Sequence, residues 1–275
     1  GNGNAAASSE MRQRFEREAQ ATATLRSPHT VSLFDFGVAD DGTFYYVMEL
    51  LEGLTAEALV DRFGQVPYAR TIYLLRQVCH SLSEADSRGL VHRDIKPANI
   101  FLCRYGEEFD FVKVLDFGLV TALKEDPQPA MNLTQEHSIH GTPAFIAPEQ
   151  ALGHMLDGRA DIYATGCVAY WLLTGQLVFK ADSPIELILH HAHTVPIPPS
   201  QRTELPIPAA LDQLVMACLA KDPGDRPQTA RELAERLSDI AGADSWTEAQ
   251  AKEWWAIHEP RLASSNGRLR TPART

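Results

Sequence analysis

The sequence predicts an α+β fold in which a small, β-containing lobe precedes a larger, mainly helical lobe. Two β-rich runs, residues 31–37 and 44–50, flank Asp40-Asp41-Gly42, which is typical of a hairpin. Helical periodicity dominates after Gly53, and the run 161–173 is apolar nearly all round, which indicates a buried central helix. The chain has 275 residues, 44% of them hydrophobic, so it is long enough to bury a real core. A cleft between the lobes is the expected place for a ligand.

The expected elements follow from local signals in chain order. The first helix should end at Ser27-Pro28, because the residue before a proline disfavours helical backbone. Gly89 and Gly175 stand where two later helices should end. Ser183 and Thr229 each precede a glutamate by three residues, which is the capping-box pattern that opens a helix. The elements are a helix at about 10–25, hairpin strands at 31–37 and 44–50, a helix ending near 89, short strands at 90–92, 98–102 and 111–117, and helices at about 161–173, 184–193, 209–221 and 230–240.

Charge and cysteine content narrow the function classes. Lys and Arg number 25 against 36 Asp and Glu, and the resulting net charge of −11 disfavours binding to nucleic acid. The four cysteines lie far apart, which suits a reducing compartment and gives neither a disulfide framework nor a zinc motif. The longest apolar run, 167–173, is too short to span a membrane. We therefore expect a cytoplasmic protein that meets a membrane only through segments outside this chain.

Three short motifs carry the chemistry of the larger lobe. They are His92-Arg93-Asp94-Ile95-Lys96-Pro97-Ala98-Asn99, Asp116-Phe117-Gly118 and Ala147-Pro148-Glu149. In this order, and with a long loop between the last two, they resemble the signature of the protein kinases. The resemblance covers about residues 15–240 and points to the bacterial branch of the eukaryotic-like, Hanks-type serine/threonine kinases. It implies a protein-kinase-like bilobal α+β fold with a truncated N-terminal lobe (1–51), a mainly α-helical C-terminal lobe (52–242) and a C-terminal tail (243–275).

The resemblance implies a reaction and a role for each motif residue. The reaction is transfer of the γ-phosphoryl group of ATP to Ser or Thr hydroxyls of a protein substrate, with Mg²⁺ as the metal. Asp94 would accept the proton of the substrate hydroxyl, and Lys96 would place a cation beside the γ-phosphate. Asn99 and Asp116 would supply the oxygen ligands of Mg²⁺.

Other residues match the nucleotide-binding and structural positions of the family. Met48 resembles the gatekeeper, and Glu49 and Leu51 fall on the hinge, whose backbone groups would pair with adenine. Phe101 would pack against the adenine ring from the large-lobe side. In the large lobe, Glu149 matches an acid that pairs with Arg226, and Asp161 matches the aspartate that holds the backbone of the catalytic loop. Asp161 also stands where it would act as a helix N-cap, and both roles are compatible.

The loop after residue 118 offers regulatory sites. The resemblance implies that Arg93 receives a phosphorylated residue of this loop, and the loop contains Thr134, Ser138 and Thr142. Thr134 best matches an autophosphorylation site, for which a second copy of the chain is a partner. Thr142 fits better as a hydrogen-bond partner of the catalytic loop. One departure from the family is Thr121, which stands where a second basic residue is usual.

Two family features are missing upstream of the hairpin. No glycine-rich loop precedes the first helix, and no lysine precedes Lys96. Glu18 matches the family's helix-C glutamate, with Glu10 and Glu16 as rivals. The usual partner of that glutamate in the family is a lysine on the third strand, which is the lysine missing here. Two explanations follow: the sequence is a fragment of a normal kinase, or it is a catalytically impaired, kinase-like binding module. For the chain as given, we expect weak or no ATP turnover.

Three further features are assigned no part in the chemistry. Residues 104–110 lengthen the connection between the first two motifs and should form a longer β-turn away from the site. His190, His191 and His193 lack the spacing of a zinc site and should lie on a solvated helix face. The tail tryptophans are expected to dock on the large lobe, and the chain from Arg261 onward to be a disordered end. These tryptophans are Trp246, Trp254 and Trp255.

Overall fold

A computed structural model describes residues 13, 16, 17, 19–117 and 143–263 of the chain. The N-terminal helix, α1, is helical at its described residues up to Ala23 and turns at Thr24. The carboxylate of Glu84 then accepts the backbone N–H groups of Arg26 and Ser27. The helix therefore ends where the Ser-Pro pair predicts, and its end is tied to the large lobe.

A two-stranded antiparallel sheet follows α1. Strand β1, Leu33–Val38, pairs with β2, Phe44–Met48, through a turn at residues 39–43. Exposure alternates along β2, so that Tyr46 is half-buried while its neighbour Tyr45 is 41% exposed. The hairpin predicted from the sequence is confirmed.

A second, three-stranded sheet lies beyond the hinge. Its order is β3 (Gly53–Thr55), β4 (Ile100–Tyr105) and β5 (Glu108–Val114), with both pairs antiparallel. Gly53 suits this place because a Cβ atom there would overlap the carbonyl oxygen of Leu102. The sequence reading missed β3, since three residues are too few to show a periodicity.

Helices make up most of the larger lobe. Side chains at five N-caps accept a backbone N–H of the first turn, and the caps are Thr55, Asp157, Ser183, Thr229 and Thr247. The helices are α2 Ala56–Phe63, α3 Tyr68–Ser87, α4 Pro148–Ala151, α5 Gly158–Thr174, α6 Pro184–His193, α7 Ala209–Cys218, α8 Ala230–Ser238, α9 Glu248–His258 and α10 Pro260–Ala263. None of these described helices combines the length and apolar character needed to cross a bilayer.

Helix α5 is the centre of the core, as its apolar sequence predicts. It is buried along almost its whole length, and it packs against α3, α7 and α8. Close approach to α7 depends on Gly166, because a Cβ atom there would lie 2.7 Å from the Cβ of Cys218. The N-cap of α5 is Asp157 rather than Asp161, which lies in the first turn and is buried.

The tail docks on the large lobe through its tryptophans, as predicted. Arg70 and Asp110 form a buried bidentate ion pair with N–O distances of 2.9 and 2.7 Å. The indole N–H of Trp255 donates to Asp110 at 2.8 Å, and that of Trp246 donates at 3.0 Å. The guanidinium of Arg70 lies 3.9 Å from the ring centroid of Trp254. We call these five residues the tryptophan clasp.

Two expectations about the large lobe are wrong. Residues 90–92 form no strand, because their chain turns into the catalytic loop instead of pairing with β4. The histidines of α6 are not all on a solvated face, since His191 is fully buried and its Nδ1 lies 2.9 Å from the hydroxyl of Tyr163. The periodicity of a ten-residue helix did not show that its second face is covered by α4, by residues 143–145 and by Tyr163 of α5.

Candidate active site

Asp161 holds the backbone of the catalytic loop, residues 92–99. The two carboxylate oxygens of Asp161 accept hydrogen bonds from the backbone N–H groups of His92 at 2.7 Å and Arg93 at 2.9 Å. Arg93 adopts a positive φ of 67°, which is uncommon for a residue other than glycine and needs such support. Burial raises the pKa of Asp161 to about 7, while the two N–H groups act to lower it. Helix α5 therefore fixes the backbone of the two residues that precede Asp94.

Asp94 is joined to two other residues of the predicted site. Lys96 Nζ lies 2.8 Å from Asp94 Oδ2. The side-chain amide of Asn99 donates to the same oxygen at 3.1 Å and to the backbone carbonyl of Asp94 at 2.8 Å. Asp94 and Lys96 keep about a third of their side-chain surface exposed, whereas Asn99 is buried. The carboxylate is therefore oriented from one side and open to a ligand on the other.

His92 connects this loop to the strand that leads to Asp116. Its Nε2 lies 2.7 Å from the carbonyl oxygen of Leu115, so Nε2 carries the proton and donates. Its Nδ1 accepts the backbone N–H of Asp94 at 3.2 Å. Burial lowers the pKa of His92 to about 4, so the ring is neutral at pH 7. The ring also packs on Phe117, with 4.5 Å between centroids.

Asp116 meets the small lobe through a tyrosine. The hydroxyl of Tyr46 donates to Asp116 Oδ1 at 3.0 Å, across 70 positions of sequence. Burial, followed by the neighbouring Asp116 charge, raises the pKa of Tyr46 to about 12. Phe117 is buried, and its carbonyl accepts the hydroxyl of Thr22 in α1 at 3.3 Å. Both contacts tie the motif that begins at Asp116 to the small lobe.

The donor set suits Mg²⁺. The amide nitrogen of Asn99 is engaged by Asp94, and within the described part of the chain no donor is bonded to its amide oxygen, which can therefore act as an acceptor. Asp116 adds a carboxylate whose Oδ1 is held by a neutral donor. Mg²⁺ prefers such oxygen ligands and is usually bound by one or two carboxylates together with substrate phosphates. Asn99 and Asp116 would hold the ion, which would supply positive charge to offset that of bound phosphates.

The predicted hinge residues follow β2. The backbone N–H of Glu49 donates to the carbonyl oxygen of Ser32 at 3.0 Å. The Glu49 carboxylate accepts a hydrogen bond from Lys113 Nζ at 2.8 Å. Lys113 lies on β5 and is buried, so this ion pair joins the hinge to the strand that leads to Asp116. Met48 and Leu51 are half-buried, as is Phe101 on β4. The Lys113 contact was not anticipated from the sequence.

The predicted ion pair of Glu149 is present in the large lobe. Arg226 Nη1 and Nη2 lie 2.7 and 2.8 Å from the two carboxylate oxygens of Glu149, and both residues are buried. Arg226 also donates to the carbonyls of Arg159, Ala220 and Lys221. The neighbouring Gln150 donates to the carbonyl of Arg93 at 3.2 Å, so this corner of α4 contacts the catalytic loop.

Several predicted residues lie outside the described part of the chain. They are Glu18, with its rival Glu10, and the loop residues Thr121, Thr134, Ser138 and Thr142. Arg93, the expected partner of a phosphorylated residue of this loop, is exposed. Tyr46 was missed, although the strand alternation of β2 places it on the same face as the predicted gatekeeper Met48.

Comparison with known proteins agrees with this geometry. The sequence matches the protein kinase domain family over residues 3–237. It is 38% identical over 229 residues to the serine/threonine-protein kinase pkn3 of Myxococcus xanthus, covering 82% of this chain and 42% of that protein. It is 39% identical over 262 residues to the serine/threonine-protein kinase PknB of Mycobacterium tuberculosis, covering 94% of this chain and 40% of that protein.

A solved structure shows the same fold. The crystal structure of a double mutant of the Mycobacterium tuberculosis PknI kinase domain superimposes with a TM-score of 0.65 at 28% identity. The match covers 85% of this chain and 81% of that one. The chain spans about two fifths of the length of the curated relatives it matches.

The chain therefore belongs to the protein kinase family, and its α+β fold is that of a kinase domain. Within the family it is a serine/threonine-protein kinase catalytic domain of the kind found in bacterial relatives. The resemblance inferred from the three motifs is confirmed.

Proposed function

We propose that the chain transfers the γ-phosphoryl group of Mg²⁺-bound ATP to serine or threonine hydroxyls of protein substrates. The observation that carries this proposal is the joint placement of Asp94, Lys96 and Asn99 on a loop fixed by Asp161. A carboxylate beside a cation, both partly exposed, suits a reaction that depends on positioning and charge stabilisation. We infer a cytoplasmic place of action.

Each residue contributes a distinct step in this proposal. Asp94 orients the substrate hydroxyl and accepts its proton, so that the oxygen becomes the nucleophile. Lys96 stabilises the negative charge that spreads over the transferred group. Asn99 and Asp116 hold Mg²⁺ through oxygen atoms, as their geometry allows. Holding the ion at this place would let its positive charge keep the nucleotide phosphates aligned with the substrate hydroxyl.

The nucleotide base is proposed to lie between the hinge and β4. The carbonyl of Glu49 and the backbone of Leu51 offer polar groups to adenine, while Met48 and Phe101 offer apolar contacts. The Lys113 ion pair supports this assignment, because it fixes the Glu49 side chain, and since the Glu49 N–H donates to Ser32, the carbonyl is the backbone group of Glu49 that we assign to the ligand. The lobes proposed from the sequence, residues 1–51 and 52–242, enclose this site.

Control by phosphorylation is part of the same proposal. The exposed guanidinium of Arg93 is available to a phosphate on Thr134 or Ser138, and Thr142 would contact Asp94 and Lys96. A second copy of the chain would supply or receive that phosphate. Mass spectrometry of protein incubated with Mg²⁺-ATP should find phosphate in residues 134–142, and active protein that carries none there would contradict this part.

One observation favours a second candidate, a kinase-like binding module. Among the described residues, the small-lobe group that hydrogen-bonds Asp116 is the neutral hydroxyl of Tyr46, which brings no positive charge to the site. Such a module would bind Mg²⁺-ATP and a protein partner without transferring phosphate.

Comparison of Asp94→Asn with the unchanged chain separates the two candidates. We expect Mg²⁺-ATP binding by both proteins, and slow transfer of labelled phosphate to a generic protein substrate that Asp94→Asn abolishes. Asp239→Asn is the matched control, since Asp239 is an exposed carboxylate at the end of α8. Nucleotide binding without any transfer that depends on Asp94 would support the binding module, and fast transfer would overturn the expectation of weak turnover.

A further inference from the structure

Tyr46 occupies a place that none of the three motifs assigns. It lies on β2, two residues before Met48, with its side chain on the half-buried face of the hairpin. Its hydroxyl donates to Asp116 Oδ1 at 3.0 Å. A phenylalanine would fill the same space without this bond, so the hydroxyl is the informative part of the side chain.

The backbone around Asp116 is fixed, but the direction of its carboxylate depends on a side chain. Asp116 has a positive φ of 57°, a conformation that needs support in a residue other than glycine. Leu115 supplies support on one side, through its N–H to Asn99 O at 2.9 Å and its carbonyl to His92. Among the described residues, the only hydrogen bond that the structure gives the Asp116 carboxylate comes from Tyr46.

We propose that Tyr46 is a positioning residue for Asp116: its hydroxyl holds one carboxylate oxygen so that the other is presented to the Mg²⁺ of the bound nucleotide. The proposal rests on the proposed function, because it deepens the role given there to Asp116. Tyr46 does not touch the metal or the nucleotide, and it acts through the carboxylate alone.

The chemistry of the contact fits this role. A phenol is a neutral donor, so it orients the carboxylate without cancelling the charge that attracts Mg²⁺. Hydrogen-bond partners that orient a metal ligand typically matter by about 10- to 100-fold in metal affinity or activity. The bond also links the hairpin next to the hinge with a metal ligand of the other lobe.

Nucleotide binding measured with and without metal tests the proposal. A fluorescent ATP analogue is titrated into the chain in Mg²⁺ and again in EDTA, for the unchanged protein, Tyr46→Phe and Tyr45→Phe. Tyr45 is the matched control, because it is the neighbouring tyrosine on the exposed face of the same strand. We expect Tyr46→Phe to weaken the Mg²⁺-dependent part of the affinity by about tenfold. Its affinity in EDTA, and both affinities of Tyr45→Phe, should be unchanged.

The other outcomes contradict the proposal in distinguishable ways. If Tyr46→Phe binds the analogue like the unchanged protein in both buffers, Tyr46 does not position Asp116. Equal losses in Mg²⁺ and EDTA would show a merely structural role, and tighter binding in Mg²⁺ would show that the hydroxyl competes with the metal. Absence of binding by the unchanged protein would instead contradict the proposed function, and the role of Tyr46 with it.

Discussion

Replacing Glu149 by alanine tests the buried ion pair that ties α4 to the segment before α8. The Glu149 carboxylate accepts hydrogen bonds from both terminal nitrogens of Arg226, whose side chain is fully buried. Alanine would leave that guanidinium without its ion-pair partner. The bonds of Arg226 to the carbonyls of Arg159, Ala220 and Lys221 remain and lessen the cost, but they bring no negative charge.

The size of the effect follows from the burial of the pair. Removing one partner of a buried ion pair costs about 3–5 kcal/mol of unfolding free energy. In a domain of this size, each kcal/mol lowers the midpoint of thermal unfolding by roughly 2–4 °C, so Glu149→Ala should lower it by roughly 10 °C. The control is Arg236→Ala, which removes a half-exposed pair with Glu232 at 3.7 Å and should cost at most about 1 kcal/mol.

Thermal and denaturant unfolding of four variants tests this expectation. Besides Glu149→Ala and Arg236→Ala, they are the single variant Arg226→Met and the double variant Glu149→Ala with Arg226→Met, which removes both charges and should regain much of the lost stability. Two results would refute the reasoning: a cost for Glu149→Ala as small as that of Arg236→Ala, or a double variant that loses the full sum of its two single changes.

Three other changes have equally definite outcomes. Trp255→Phe removes the indole donor to Asp110 and should cost about 2–3 kcal/mol in denaturant unfolding; unchanged stability would contradict the tryptophan clasp. Because burial lowers the pKa of His92 to about 4 from 6.5, the unfolded chain takes up the proton first, and stability should fall as pH falls from 6.5 to 4. The measurement is the free energy of unfolding at a series of pH values between 4 and 6.5. His92→Asn should reduce the slope of this free energy against pH by up to about 1.4 kcal/mol per pH unit, whereas replacing the exposed His154 should leave the slope unchanged. Gly53→Ala forces a methyl group onto the carbonyl of Leu102 and should lower the unfolding free energy by about 1–3 kcal/mol, and a neutral effect would contradict the β3–β4 register.

The parts of the fold that the sequence predicts are those written in local signals. The hairpin is marked by its turn residues, and α5 by its apolar run with a glycine after its end. Asp94, Lys96 and Asn99 lie within six consecutive residues, so their proximity follows from the motif itself.

The contacts that the sequence does not predict join distant positions. Tyr46 and Asp116 are 70 residues apart, and Trp255 and Asp110 are 145 apart, so no local pattern pairs them. The expectation for residues 104–110 was incomplete for the same reason: they contain a turn between β4 and β5, but Asp110 is the buried acid on which the tail docks. His191 shows a helix face whose cover is decided by tertiary packing.

The position of the label in ATP gives the most direct test of the central claim. The chain is incubated with Mg²⁺ and a protein substrate, using ATP labelled either in the γ-phosphate or in the α-phosphate. Transfer of the γ-phosphoryl group predicts label on substrate serine or threonine from γ-labelled ATP only, and its loss in Asp94→Asn. Label from both forms of ATP, or label that persists in Asp94→Asn, would contradict the account.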